Sequence, residues 1–286
     1  MFRLAFANAA ETFERVRAPL AERGIDAEAV SASHGSYSLS DPPFSVEAFD
    51  AGYVFPGRLM EGGVLDAWLD VPWLNDREDV LTSRNKAGVL ATLERAGVPV
   101  PETVMLSNPA DTADLEDAYA AIPGTVVVKP NSTTRGIGVA KAADLDSFLG
   151  IADYLDLVHD YRATGDRSYL VQEYLPDARD YRVMVLDGEV VGTVERRLPD
   201  AARETGRWKH NVHRGADAVA ADPSPAVLDL AERAAAALDI RFLGVDVLET
   251  DERVVVNETN ARPTIDDEEK YDEGFYDRFA AAVKSL

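Results

Sequence analysis

Asp246, Glu258 and Asn260 are the residues of this sequence whose types and spacing most directly suggest chemistry. They stand in Gly244-Val-Asp-Val-Leu248 and Val254-Val-Val-Asn-Glu258-Thr-Asn260, which read as two apolar strands joined by a short turn. Glu258 and Asn260 are two apart on one strand and leave the same face, where a paired strand brings Asp246 to meet them. Three oxygen donors without His or Cys suit a hard cation, Mg²⁺ first and Mn²⁺ as a substitute. A cation held by so few protein oxygens keeps positions for phosphate oxygens, so the expected ligand is a metal nucleotide. The plain alternative is that these are ordinary strand-end acids in a chain with 51 Asp and Glu residues.

A second region points the same way. Thr125-Val-Val-Val-Lys129-Pro130 reads as a buried strand ending in lysine, followed by the small-residue loop Asn131-Ser-Thr-Thr-Arg-Gly136-Ile-Gly138-Val. Amides of such a loop can curl around phosphate oxygens, with the lysine supplying a fixed positive charge. The loop is not a Walker sequence, and no Gly-x-Gly-x-x-Gly follows a strand. Lysine is scarce, 6 against 23 Arg, yet Lys86, Lys129 and Lys209 all fall within candidate motifs. A buried lysine must lose its charge or find a partner, so Lys129 favours an anion.

Composition bounds the remaining choices. At 286 residues and 46% hydrophobic the chain can bury a full core and divides into two or three lobes. It has no cysteine, which excludes thiol catalysis, disulfides and Cys-ligated zinc. A net charge of −22, with 30 Asp and 21 Glu, argues against nucleic-acid or anionic-membrane partners. The many Asp, few Lys and low pI resemble proteins of salt-accumulating halophiles. No leader, lipidation motif or run of 18 apolar residues is present, so a cytoplasmic protein is expected. A homo-oligomer is left open.

The elements that must position these residues form an α/β chain without repeats. Phe2 to Ala7 reads as a strand, Ala10 to Arg23 as a helix shortened or kinked at Pro19, and Gly52 to Phe55 as another strand. Pro72 to Asp76 reads as a connector, after which Thr82 or Ser83 is expected to cap a helix carrying Lys86, Val89, Leu90 and Leu93. The helical period of Leu145, Phe148, Leu149, Ala152 and Leu155 predicts another helix. Ser168 to Tyr174 reads as a strand, and Asp187-Gly188 as the turn of a hairpin. Helices are predicted from Pro225 to Leu238 and from Phe275 to Val283.

Read in order, nine segments resemble the ATP-grasp ligases, specifically the RimK-like α-L-glutamate ligase branch. They are Asn85-Lys86, Val126-Val-Val-Lys129, Gly136-Ile-Gly-Val139, Val171-Gln-Glu-Tyr174, Asp180-Tyr-Arg182, Glu195-Arg-Arg197, Asn211-Val-His-Arg-Gly215, Gly244-Val-Asp246 and Asn257-Glu-Thr-Asn260. The similarity runs from about Phe55 to Pro263. It implies an ATP-grasp fold: a pre-ATP-grasp N-terminal α/β domain over 1–80, a central lobe over 81–165 and a C-terminal lobe over 166–286, the two lobes clasping ATP. By the same resemblance Lys86 and Lys129 hold nucleotide phosphates, the backbone of Glu173 and Tyr174 meets adenine, and Asp180 lies near the ribose. Lys209, His210 and Asn211 form a further nucleotide-contacting segment. Asp246, Glu258 and Asn260 are the implied magnesium ligands, and Arg197 and Arg214 the arginines beside the transferred phosphate.

These roles fit one reaction. A carboxylate is a poor electrophile, but its acyl phosphate can be attacked by an amine, so an ATP-dependent carboxylate–amine ligase needs positioning and charge stabilisation rather than a protein nucleophile. The substrates would be small molecules, glutamate among them, with a protein end as an alternative acceptor. An ATP-grasp kinase or a non-catalytic ATP-binding module remains the other class. His210 and His213 lack a surrounding zinc motif and no Gly-x-Ser-x-Gly elbow is present. Two departures touch the substrate side. The branch usually continues Asn-x-Ser-Pro-Gly where this chain has Asn260-Ala-Arg-Pro-Thr264, and the segment between Arg197 and Asn211 is longer than usual. Arg262 is therefore expected either to join Arg197 and Arg214 in holding an anionic substrate or to pair with Asp266 or Asp267 at the surface.

Overall fold

A computed structural model of the chain describes every residue except 8–9, 46–47, 135, 159–164 and 213–214. Three sheets are present among the described residues. The first is parallel, in the order β2-β1-β3-β4, from β1 (Phe2–Phe6), β2 (Ile25–Ala29), β3 (Ala51–Tyr53) and β4 (Trp73–Leu74). A parallel pair needs a crossover. Between β1 and β2 that is α1 (Ala10–Glu22), which continues through Pro19. The stretch expected to be only a connector supplies β4 and then Asn75, whose buried amide donates to the carbonyls of Ala261 at 2.6 Å and Phe242 at 2.5 Å. This latch fixes the first sheet against the third.

The second sheet is antiparallel, in the order β5-β8-β6-β7, from β5 (Thr103–Ser107), β6 (Val126–Pro130), β7 (Ala140–Ala142) and β8 (Ser168–Glu173). Every residue of β6 is buried, as its apolar run predicts. The helices α5 (Thr112–Ala120) and α6 (Leu145–Val158) complete its core, with Phe148, Ala152 and Leu155 pointing inward.

The third sheet has the order β11-β10-β9-β12-β13. Its strands are β9 (Arg179–Leu186), β10 (Glu189–Arg197), β11 (Asp217–Ala220), β12 (Phe242–Glu249) and β13 (Val254–Asn260). β9 and β10 form the hairpin expected at Asp187-Gly188, with both turn residues at positive φ. One face packs on α8 (Pro225–Leu238) through Val227, Leu230, Ala231 and Ala234. The other face carries the charged residues described below.

The expected domain limits differ from the packing in two places. β8 lies beyond residue 165, yet it hydrogen-bonds between β5 and β6 because its register completes the middle sheet. The last helix, α9 (Phe275–Lys284), buries Phe275, Phe279 and Val283 in the core of the first sheet, alongside Tyr53 and Phe242. The expected cap at Thr82 or Ser83 is also corrected. Asp76 caps α3 (Arg77–Arg84), accepting from the amides of Glu78 at 2.8 Å and Asp79 at 3.0 Å, and Asn85 caps α4 (Lys86–Arg95), accepting from Gly88 N–H at 3.0 Å. Ser83 instead accepts a hydrogen bond from Ala261 N–H at 2.9 Å. Among the described residues no helix is long and apolar enough to cross a membrane.

Candidate active site

A cavity of about 300 Å³ opens between the second and third sheets. One wall comes from Val127 and Lys129 of β6 and from the loop residues Gly136 and Val139; the opposite wall comes from Asp180, Arg196, Asp246, Leu248 and Glu258. The segment from Gln172 to Ala178 joins the walls, and Arg203 to Asn211 closes one side.

The third-sheet wall is a mosaic of alternating charge set by register. Arg182 faces Asp246 across β9 and β12, and Asp246 faces Glu258 across β12 and β13. Arg182 donates to both Asp246 oxygens, at 2.7 and 2.9 Å. Arg196 reaches Asp246 at 2.9 Å and Asp180 at 2.5 Å, bridging the two carboxylates. His210 Nδ1 stands 3.6 Å from Asp180. Burial would raise the Asp246 carboxyl, but the two guanidiniums outweigh it and hold it below the usual carboxylate range. Burial likewise opposes the charge of Arg196, and Asp180 and Asp246 overcome that penalty.

The lysines approach from the other side. Lys86 begins α4, where its ammonium lies 3.4 Å from Glu258 and donates to the carbonyls of Asn131 and Thr133. Lys129 donates to Asn257 Oδ1 at 3.1 Å. Its amine is pushed down to about 8 by burial, with Glu258 pulling it back up and Lys86 pushing it further down. Asn257 can make this contact because the register slips between Asp246 and Val247, leaving it as the extra residue of a β-bulge.

Of the expected nucleotide residues, Lys129, Glu173, Tyr174, Asp180, Lys209, His210 and Asn211 all line the cavity. Lys86 stands behind Glu258 rather than in the lining. The amides of Glu173 and Tyr174 already donate to the carbonyls of Glu102 at 2.9 Å and Thr125 at 3.1 Å. Those two N–H groups are committed to the sheet, and the next residue, Leu175, also lines the cavity. Lys209 donates to the carbonyl of Val139 and lies 5.5 Å from the Trp208 ring centroid. Gly136, at φ +65°, comes so close to Asn211 that an added Cβ would lie 2.7 Å from its Oδ1. The small-residue loop is thus shaped partly by contact with the third-sheet segment.

The metal donors divide. Asp246 and Glu258 line the cavity as register partners. Asn260 lies outside the lining, pairs in register with Gly244, and accepts from Arg262 N–H at 2.9 Å. No cluster of three or more His, Asp or Glu positioned for a metal occurs among the described residues. The oxygen chemistry of Asp246, Glu258 and Asn260 nevertheless fits a hard cation that draws its other ligands from phosphate and water.

The expectation for Arg197 is corrected by strand alternation. Arg197 shares the face of Glu195, to which it donates at 2.6 Å, and its side chain is 56% exposed; Arg196, one residue earlier, points into the cavity. Arg214 lies outside the described residues. Arg262 does not pair with Asp266 or Asp267, which meet Arg15 and Lys270 instead. It donates to the carbonyls of Phe55 and Ala7, and burial brings its guanidinium down to about 10, with Arg84 adding to the effect. Sequence reasoning leaves Arg182, Arg196, Asn257 and Trp208 without a role. Arg182 stands within a recognised motif, Arg196 is one of the rare cations of an acidic chain, and Asn257 becomes visible only through the bulge.

Comparisons with known proteins agree with this architecture. Residues 83–274 match the RimK-like ATP-grasp domain. A probable alpha-L-glutamate ligase of Citrobacter koseri is 34% identical over 206 residues, covering 69% of this chain and 62% of that protein. A ribosomal protein bS6–L-glutamate ligase of Escherichia coli is also 34% identical over 206 residues, with the same coverage. The chain thus spans about six-tenths of the length of these relatives. Among solved structures, the RimK domain ATP-grasp protein of Sphaerobacter thermophilus superposes with a TM-score of 0.68 at 23% identity, covering 99% of both chains. The D-alanine–D-alanine ligase of Bacillus anthracis gives 0.71 at 14% identity, covering 100% of this chain and 97% of its own. At these identities the structural likeness speaks for the fold, while the match over 83–274 shows that the chain belongs to the RimK-like ATP-grasp family.

Proposed function

We propose that the protein is an ATP-dependent carboxylate–amine ligase that forms an amide bond through an acyl phosphate. The observation that carries this reading is the cavity itself, in which Lys129 faces the Asp246–Glu258 register pair while Glu173, Tyr174 and Leu175 line its connecting wall. That distribution suits a nucleotide whose base meets the connecting segment and whose phosphates meet lysine and carboxylates. The RimK-like relatives, named as glutamate ligases, support the same reaction class.

Asp246 and Glu258, with Asn260 at the edge, are the residues that would hold Mg²⁺. When bound, the ion would offset phosphate charge, as hard cations do in phosphoryl transfer. The chain's own residues do the rest. Lys129 and Lys86 stabilise the charge of the phosphoryl group as it moves to a carboxylate oxygen, and Arg196 and Arg182 keep Asp246 ionised and fixed in place. Trp208, 5.7 Å from Tyr174 in an edge-to-face contact, covers the cavity beside the connecting segment and excludes water there. Attack by an amine on the acyl phosphate then forms the amide and releases phosphate. The carboxylate and amine substrates are small molecules in this reading, glutamate among the amine donors, with a protein end as a further acceptor. The setting is the cytoplasm, and the acidic surface suits a salt-rich interior.

The test is product mass after incubation with Mg·ATP and a pool of amino acids and carboxylic acids. Formation of an amide with one ADP released per bond is the expected result. A phosphorylated product without amine consumption marks a kinase, and no turnover with tight ATP binding marks a binding module.

A further inference from the structure

Lys86 and Lys129 reach the phosphate end of the cavity from different bodies. Lys86 opens α4, whose Val89 and Leu93 are buried in the core of the third sheet with Val245 and Val256, whereas Lys129 lies on β6 of the second sheet. Burial does most to push the Lys129 amine down, and the like charge of Lys86 adds to it. Holding the two cations near each other therefore needs a tie that does not depend on charge.

That tie is the buried side chain of Asn131, two residues after Lys129. Its Oδ1 accepts from the amide of Ala87, the residue after Lys86, at 2.8 Å. A backbone N–H can only donate, so this contact fixes which end of the side chain is oxygen and which is nitrogen. Nδ2 then donates to Asn85 Oδ1 and to Ser168 Oγ of β8, both at 3.0 Å. Asn85 Oδ1 is the same atom that accepts from Gly88 N–H, so the first turn of α4 is capped in part from the second sheet. Gly88 leaves room for this arrangement, since an added Cβ would stand 2.6 Å from Asn85 Nδ2. The main chain reinforces it: Asn131 N–H donates to Ser168 O at 3.1 Å, and Asn131 O accepts from both the amide and the ammonium of Lys86 at 3.4 Å.

Both side-chain donors of Asn131 are thus spent on protein, and the residue lies outside the cavity lining. Its place is behind the charges, not against a ligand.

We propose that Asn131 is a positioning residue that joins α4 to the second sheet and so keeps Lys86 beside Lys129, where both can meet one phosphate group. This rests on the reading that the two lysines hold nucleotide phosphate. The effect of Asn131 on the nucleotide then passes through Lys86.

A double-mutant cycle on the full-length protein tests it, with calorimetry measuring the affinity of a non-hydrolysable ATP analogue in the presence of Mg²⁺. Lys86→Met should weaken the analogue by about tenfold or more, the scale of one charge-assisted contact. Asn131→Ala should weaken it by about tenfold in wild type and by less than about twofold in the Lys86→Met background, because the charge that Asn131 positions is already gone. A residue that only supports the fold would cost the same in both backgrounds. Asn85→Ala removes the shared acceptor while leaving Asn131 bonded to Ala87 and Ser168, and it supplies a second cycle should Asn131→Ala not fold. Its loss should be smaller, about threefold, and again absent alongside Lys86→Met. Equal losses in the two backgrounds, or unchanged affinity in the variant that folds, overturn the positioning role alone. Analogue binding that Lys86→Met leaves unchanged removes Lys86 from the phosphate and the role of Asn131 with it, whereas a wild type that does not bind the analogue contradicts the nucleotide reading itself.

Discussion

The two walls of the cavity handle charge in opposite ways. The third sheet surrounds buried Asp246 and Asp180 with Arg182 and Arg196, so its charges are neutralised within the protein. The second sheet presents Lys129 at the end of an apolar strand, held by the neutral Asn257, and its amine falls to about 8. One wall pairs most of its buried charge before the proposed Mg²⁺ is bound. On the other, Glu258 and Asp246 only partly offset the burial of the amine, and a phosphate group would add the missing negative charge. The comparison teaches that burial alone does not identify a binding residue: pairing lets the third-sheet ions hold the wall together, while a buried amine whose charge is only partly offset favours an added anion.

The sharpest way to break this contrast is to remove Asp246. Asp246→Ala leaves Arg182 and Arg196 facing each other in a buried site, and the expected loss of stability is about 3–5 kcal/mol. Urea denaturation monitored by circular dichroism measures it, and a loss below about 1 kcal/mol would show that the mosaic is not self-sustaining. Glu258→Ala separates function from stability on the same wall. Its side chain is 35% exposed, but its partner Lys86 at 3.4 Å is buried, so the variant should lose less stability than Asp246→Ala while still registering a loss in the same denaturation experiment. Turnover should nevertheless fall by about 10²-fold or more in a steady-state assay.

Lys129 tests the opposite wall. Lys129→Met should weaken nucleotide binding by about 1.5–3 kcal/mol while sparing the fold. The pH dependence has a definite sign. The folded amine at about 8 lies below its ordinary 10.5, so the buried charge costs stability below pH 8. That cost is relieved as pH rises from about 8 towards 10.5. Phosphate favours the protonated form, so nucleotide affinity should decline above pH 8 with proton uptake on binding. Calorimetry in buffers of different ionisation enthalpy should detect that uptake in wild type and not in Lys129→Met. The smallest effect concerns Trp208. It borders the cavity while Trp68 and Trp73 belong to the first sheet's core region, so nucleotide should change tryptophan fluorescence in wild type and not in Trp208→Phe.

Much of this is legible in the residues, and the limits have physical causes. β12 and β13 can be read because apolar residues bracket a short turn, and β6 because an unbroken run of valines ends in a lysine. The choice between Arg196 and Arg197 depends on which face of β10 meets the cavity, and strand alternation makes adjacent residues opposite in role. Asn257 is hidden for a related reason: a bulge changes the parity that sequence spacing assumes. β8 pairs with two strands that begin some 40 to 65 residues earlier, a pairing that no local pattern encodes. Arg262 looks like a surface partner for Asp266 because the two are close in sequence, yet the chain turns at Asn260 and delivers the guanidinium to Phe55 and Ala7.

Isotope transfer tests the central claim most directly. When the carboxylate substrate found by the product screen carries ¹⁸O in its carboxyl group, activation as an acyl phosphate makes one of those oxygens the bridge to phosphorus, and amine attack releases it with the phosphate. Mass analysis should find one ¹⁸O in each phosphate formed alongside amide. Amide formation with unlabelled phosphate would contradict the acyl-phosphate account.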